Sequence, residues 1–231
     1  KNAIVEAGRE VVVRFLPRWD FVQKFLGGGK LNPNYQEGPI FFEAREHWWD
    51  GPDGKKHREW CPTTFGDAEP CPICEAWKEL RAGRSPEDKK TASRIKPDEV
   101  YLFTAIIGAP NRALKEDGLI DIRYIGVPNT VFLAVINIMT GGENESFARG
   151  DISDPREGFD VKLIRPAAAG DRWKVDCANT TPISNDAQKG AFKEWWNKLV
   201  DLPALVVLTA SWCAAAAVFS VLYVAARLGP P

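Results

Sequence analysis

Three of the five cysteines crowd into one short string, Cys61-Pro-Thr-Thr-Phe-Gly-Asp-Ala-Glu-Pro-Cys71-Pro-Ile-Cys74. A CxxC pair lets two thiolates converge on one ion from a tight turn, and Cys61 adds a third sulfur from the segment before it. A disulfide framework would instead spread an even number of cysteines along the chain, so the clustering points to metal binding in a reducing compartment. Zinc closes a tetrahedron with four ligands, and the two histidines of the chain, His47 and His57, are the candidates for the fourth. Four protein ligands leave no open coordination position, which makes the expected zinc structural rather than catalytic. Cys177 and Cys213 lie outside the cluster and read as ordinary buried cysteines.

The elements that must position these ligands decide between the histidines. Residues 39–49 read as a strand, Asp50-Gly-Pro-Asp-Gly54 as a turn, and residues 55–60 as the returning partner. In such a hairpin His47 lies roughly opposite Cys61, and cross-strand neighbours are about 5 Å apart. His57 precedes Cys61 on the same strand, and four residues at that pitch put them roughly 13 Å apart. His47, Cys61, Cys71 and Cys74 are therefore the expected ligand set. The CxxC leads into a helical run, Glu75-Ala-Trp-Lys-Glu-Leu-Arg-Ala82, stopped near Gly83.

Elsewhere the pattern is mostly short strands. Residues 10–16 are β-branched and apolar and end against Pro17; residues 100–107 and 119–125 form a pair joined by a Gly, Pro and Asn loop. Residues 158–166 and 171–177 read as another hairpin, and residues 187–200 as an amphipathic helix with Phe192, Trp195, Trp196 and Leu199 on one stripe. Residues 129–139 are apolar and fit a strand or a helix. This pattern predicts a mainly β chain with helices (α+β), a small Greek-key barrel with insertions. Gly27-Gly-Gly-Lys30 lacks the upstream glycine of a phosphate-binding loop and is followed by Leu31 instead of serine or threonine.

The net charge of −1 gives no global basic field, but a local patch needs none. Sequence-tolerant strand binding requires cations for the backbone and aromatic faces for the bases. Residues 77–96 carry Lys78, Arg81, Arg84, Lys89, Lys90, Arg94 and Lys96 against Glu79, Glu87 and Asp88, and lead into Tyr101 and Phe103. Arg123 with Tyr124, Lys162 and Arg165, and Arg172-Trp173-Lys174 repeat the pairing of cation and ring. Each pair read alone is equally a solvated charge beside a core ring. The candidate nucleic-acid contacts are therefore Lys89, Lys90, Arg94, Lys96, Tyr101, Phe103, Arg123, Tyr124, Lys162, Arg165, Arg172, Trp173 and Lys174. With one of two histidines assigned to zinc, no nucleophile with an adjacent base is in view, and no enzyme is expected.

The spacing Cys-x9-Cys-Pro-x-Cys, with Thr64-Phe-Gly66-Asp67 inside it, resembles the zinc subdomain of the T-even phage single-stranded DNA-binding (helix-destabilising) protein family. In that family a histidine about 13 residues before the first cysteine completes the site; His47 lies 14 before Cys61. Val13-Arg-Phe-Leu-Pro17 is similar to the family's N-terminal strand, Ala105-Ile-Ile-Gly-Ala-Pro110 with Gly118 and Arg123-Tyr-Ile-Gly126 to its central hairpin, and Gly158–Arg165 to a later strand. The resemblance spans roughly residues 9–200 and favours a helix at 129–139. It implies an OB-fold (oligonucleotide-binding) barrel with an inserted zinc subdomain, and single-stranded DNA as ligand in phage replication, recombination and repair. Self-association along the strand and contacts with replication proteins belong to the same expectation.

The expected organisation is a single-stranded DNA-binding domain over residues 1–200, its zinc subdomain at about 40–84, and a hydrophobic tail over residues 201–231. Where the resemblance implies an acidic tail that recruits replication partners, residues 202–226 contain no charged side chain, a run long enough to span a bilayer as a helix. A buried or self-associating helix, a membrane anchor and a non-native terminus are all open readings of it. The first residues carry no apolar run of the kind a secretory leader needs, so the host cytoplasm is the expected location. A zinc-stabilised protein-interaction module and an RNA-binding OB barrel are the alternative functions, the latter because contacts to a ribose 2′-hydroxyl leave no mark in sequence.

Overall fold

The computed structural model describes residues 8–24, 30–50, 54–65, 70–108, 122–143, 148–168, 172–180 and 198–206. Two compact units result, as far as the described residues go: Lys1–Phe42 with Tyr101–Leu202, and Glu43–Val100 with Pro203–Pro231.

The first unit is an antiparallel sheet. Strand β1 (Glu10–Phe15) pairs on one side with β4 (Asp98–Ile107), in the register Val13↔Ile107 and Phe15↔Ala105. On its other side it pairs with β6 (Phe159–Ile164), Val11 opposite Leu163 and Val13 opposite Val161. β7 (Lys174–Thr180) follows on β6, and β5 (Ile122–Pro128) pairs with β4. Among the described residues the strand order is a path rather than a closed ring, so the sheet is open.

β4 is buried continuously from Val100 to Ile106, as a strand covered on both faces must be. Its Phe103 meets Phe15 of β1 with ring centroids 4.6 Å apart. Around this pair lie Val13, Ile125, Val127, Val161 and Leu163, closed by Val131 and Val135 of helix α3 (Asn129–Thr140). Gly141 ends α3 in the left-handed conformation (φ 79°) and donates its N–H to the carbonyl of Asn137, a backbone shape that glycine adopts without a Cβ penalty. The apolar segment at 129–139 is thus the helix that the family resemblance favoured. β5 runs on to Pro128, three residues past the expected end at 125, and Pro128 is also the N-cap of α3; residues 119–121 lie outside the described residues.

The second unit holds the hairpin of β2 (Phe41–Asp50, which starts in the first unit) and β3 (Lys56–Trp60), followed by α1 (Pro72–Ala82) and α2 (Pro86–Ile95), which pack on each other. α1 starts with proline at its first helical position, where the missing N–H is no loss. α2 starts the same way, and the Ser85 hydroxyl accepts the N–H of Asp88 at 3.0 Å.

The turn tip at 51–53, the loop glycines 27–29, the helix expected at 187–200 up to residue 197, Cys213 and the tail beyond residue 206 lie outside the described residues. At the start of the apolar run, residues 202–206 are helical, with Leu202 and Val206 fully buried. Among the described residues no helix is long and apolar enough to cross a membrane.

Candidate metal centre and nucleic-acid contacts

His47 and the three cysteines are all buried, and their ligand atoms lie within 4.8 Å of one another. The β2–β3 register is Asp50↔Lys56, Trp48↔Arg58 and His47↔Glu59, and the Cys61 N–H donates to the Arg45 carbonyl at 2.7 Å. His47 and Cys61 are thus diagonal on one face rather than directly opposite. The pairing Asp50↔Lys56 leaves five residues between the paired ends, as many as the turn motif holds, but sets Glu59 rather than Cys61 across from His47. A diagonal pair still shares a face, so the histidine reaches the sulfurs.

After β3 the chain makes a 3-10 turn over Pro62–Phe65. Thr64 locks that turn to β2 by accepting the Arg45 N–H at 3.0 Å, and the Thr63 hydroxyl contacts the Cys61 sulfur at 2.9 Å. Cys71 occupies the N-cap position of α1, without a side-chain capping bond, and Cys74 sits in its first turn. A helix N-terminus favours negative charge, which suits two thiolates.

The sulfurs of Cys61 and Cys74 are 3.4 Å apart, and His47 Nε2 is 3.4 Å from the Cys71 sulfur and 3.5 Å from that of Cys74. A tetrahedral zinc with bonds of about 2.3 Å to sulfur and about 2.0 Å to nitrogen has edges of about 3.5–3.8 Å between its ligands. The donor set therefore fits such an ion. The other ring nitrogen, Nδ1, lies 3.3 Å from the carbonyl of Ile95, the last residue of α2. Donating there fixes the tautomer that leaves Nε2 free to ligate.

The electrostatics of the cluster say the same. Burial works against a charge on His47, but the hydrogen bonds to the Cys61 and Cys71 sulfurs prevail and push its pKa up to about 9. Cys61 is held far below the ordinary thiol range by hydrogen bonds from Cys71, then Cys74, then His47 and Thr63, while Cys74 is pushed far above it, foremost by Cys61. With protons alone to share, three crowded sulfurs cannot all ionise. A divalent cation is the partner that lets them.

The expected nucleic-acid contacts divide into groups. Lys89, Lys90 and Arg94 on α2, with Lys96 just after it, are exposed, and none has an ion pair among the described residues. Arg165 lies over the Trp173 ring at 5.9 Å, and exposed Arg172 and Lys174 flank that ring in sequence. Lys162 pairs with Glu10 at 3.3 Å, and Arg123 and Tyr124 are half-buried on β5.

Tyr101 and Phe103 must be corrected. Phe103 is fully buried, and Tyr101 is buried with its ring stacked on Phe132 at 3.7 Å. Neither ring has a free face for a base; both belong to the core.

A cluster on β2 and β3 lies outside the contacts expected from sequence. Trp48 is exposed beside Arg58, and the Glu46 carboxylate accepts from both the Trp48 indole N–H and the Arg58 guanidinium. Its signal was the strand alternation itself, which puts residues 46 and 48 on the face opposite His47.

An antiparallel sheet with helices, and a cluster of His47, Cys61, Cys71 and Cys74 that could hold a metal ion, define a mainly β protein. The chain belongs to the gp32 DNA binding protein like family, whose model matches residues 10–211. It is accordingly a DNA-binding protein, and the resemblance to the T-even phage family holds. No curated protein matches the chain.

Proposed function

We propose that the chain binds single-stranded DNA, without catalysis and with little sequence preference, and that zinc is the ion of the Cys₃His cluster. The observation that carries this reading is α2, where Lys89, Lys90, Arg94 and Lys96 stand exposed with no ion pair among the described residues. Cations left without carboxylates suit phosphates, and each phosphate neutralised releases counterions. Family membership over residues 10–211 supplies DNA as the polyanion.

In the same proposal the antiparallel sheet is an OB-type barrel. The Arg165, Arg172, Trp173 and Lys174 group, with Arg123 and Tyr124, gives it a ring and further cations along the strand. Self-association along the strand and work in phage replication, recombination and repair, within the host cytoplasm, extend the reading from the family resemblance.

A salt titration of binding to oligo-dT and to duplex DNA of equal length tests it. Tighter, salt-dependent binding to oligo-dT is expected, and equal affinity for the two would refute single-strand preference. Competition with oligo-rU separates DNA from RNA.

A further inference from the structure

We infer that the Trp48–Arg58 face of the β2–β3 hairpin is a stacking site for one nucleobase of a bound single strand; this rests on the single-strand reading above and names a contact within it.

The face is built by register. Glu46 stands opposite Trp60, and Trp48 opposite Arg58. The Arg58 guanidinium lies 4.6 Å from the Trp60 ring and 5.7 Å from that of Trp48, a cation between two indoles. The buried carboxylate of Glu46 holds Trp48 and Arg58, accepting the Trp48 Nε1–H at 2.8 Å and the Arg58 Nε–H. Trp60 is buried, but Trp48 is 38% exposed, the one aromatic among the exposed large hydrophobic side chains of the described residues.

A tryptophan left at the surface for sheet stability alone needs nothing to fix its indole edge. Here that edge is satisfied by a carboxylate that also fixes the neighbouring guanidinium, so the ring is presented in one orientation with its polar atom already used. Such preorganisation removes much of the ordering cost of a contact. What remains available is a flat π face.

The neighbourhood selects the occupant. On the Trp48 face the register places exposed Lys56 two residues from Arg58, while Arg45 lies on the His47 face. An apolar protein anchor seeks a pocket with an apolar floor, whereas an exposed flat ring beside a guanidinium suits a flat base, and DNA is the ligand that family membership supplies. In a duplex the base faces are already stacked on each other, so a single strand has the free face to offer.

The experiment uses the full metal-loaded chain and two probes of equal length, oligo-dT and an abasic deoxyribose strand. Trp48→Ala is expected to weaken oligo-dT binding about fivefold or more, the loss of one stacked base, and to leave abasic binding unchanged. Trp48→Phe, which keeps a ring, is expected to retain most of the affinity and covers the case in which the alanine variant loses its metal. A 5-iodouracil strand is expected to photocrosslink to Trp48. Wild-type affinity in Trp48→Ala, or an equal loss on both strands, overturns the inference while leaving single-strand binding intact. Failure of the unmodified chain to prefer oligo-dT to duplex would instead remove the underlying reading.

Discussion

Neutralising the α2 cations should change the salt dependence of strand binding by a calculable amount. Lys89, Lys90, Arg94 and Lys96 are exposed and lack ion pairs among the described residues, so each is available to one phosphate. On a single strand each such contact contributes about −0.7 to the slope of log K against log[salt]. Replacing all four with glutamine should therefore make the slope shallower by about 2.8. Between 50 and 200 mM salt, that removes about 50-fold of the affinity change the intact chain would show. Glutamine keeps a helix propensity close to that of lysine and arginine, and none of the four side chains is buried, so α2 should still fold. Fluorescence anisotropy of labelled oligo-dT at four or more salt concentrations reads the slope, and metal content checks that the cluster survives. An unchanged slope in the fourfold variant would refute the assignment of α2 to the phosphate backbone. A weaker complex with the original slope would also count against it, because loss of phosphate contacts must appear in the salt term.

Three further outcomes follow from the same structure. His47→Ala should lose bound zinc, whereas His57→Ala should keep one ion per chain; full metal content in the first variant would show the wrong histidine had been chosen. Asp154 is partly buried, which opposes its charge, but the backbone N–H groups of Glu157 and Arg156 and the nearby Arg14 and Arg156 charges hold its carboxyl below the usual value of 3.8. A lowered folded pKa contributes stability above the unfolded pKa that is lost as pH falls through the folded one, so Asp154→Asn should flatten the acid limb of a stability-versus-pH curve below about 4. Gly158→Ala should destabilise by about 1–3 kcal/mol in denaturant melts, because an added Cβ would sit 2.4 Å from the Ile152 carbonyl oxygen and 2.6 Å from both the Asp154 carbonyl oxygen and Arg14 Nη2.

The four residues of the cluster were legible because their chemistry restricts them: a closed zinc site takes three sulfurs and one imidazole, and few residues of this chain qualify. The hairpin register was less so, since turn residues mark a loop without fixing which residues pair across it. α2 went unread for a different reason. Only Ala92 of that helix is buried, so it carries no apolar stripe to betray its period, and the basic stretch read as charge alone. The signal was there in Ser85-Pro86-Glu87-Asp88, a capping serine, a proline at the first helical position and acids in the first turn. Tyr101 and Phe103 were misread in the opposite direction. Their apolar neighbours from Val100 to Ile106 form one unbroken buried run, the mark of a central strand, and the cations before it drew them into the binding set. Exposed Trp48 was invisible for want of a partner in sequence, because Arg58 and Glu46 become its neighbours only through the hairpin.

The metal cluster and the α2 cations belong to one physical argument. A helix of α2's length is marginal by itself, and one that buries only Ala92 draws little from packing. Repulsion among four like charges weakens it further when no phosphate is bound. Its C-terminal carbonyl groups need partners, and Ile95 finds one in His47 Nδ1. The same imidazole presents Nε2 to Cys71 and Cys74 at the start of α1, the helix on which α2 packs. An ion drawing those sulfurs and that nitrogen together would fix the hairpin, the start of α1 and the end of α2 at once. Chelation should therefore lower oligo-dT affinity although no metal ligand need touch DNA, and restoring zinc should bring it back. The salt slope should fall with the affinity, since the cations lose their fixed spacing before they lose their charge. Strand affinity that survives chelation with its slope intact would break this dependence and leave the zinc with a role in stability alone.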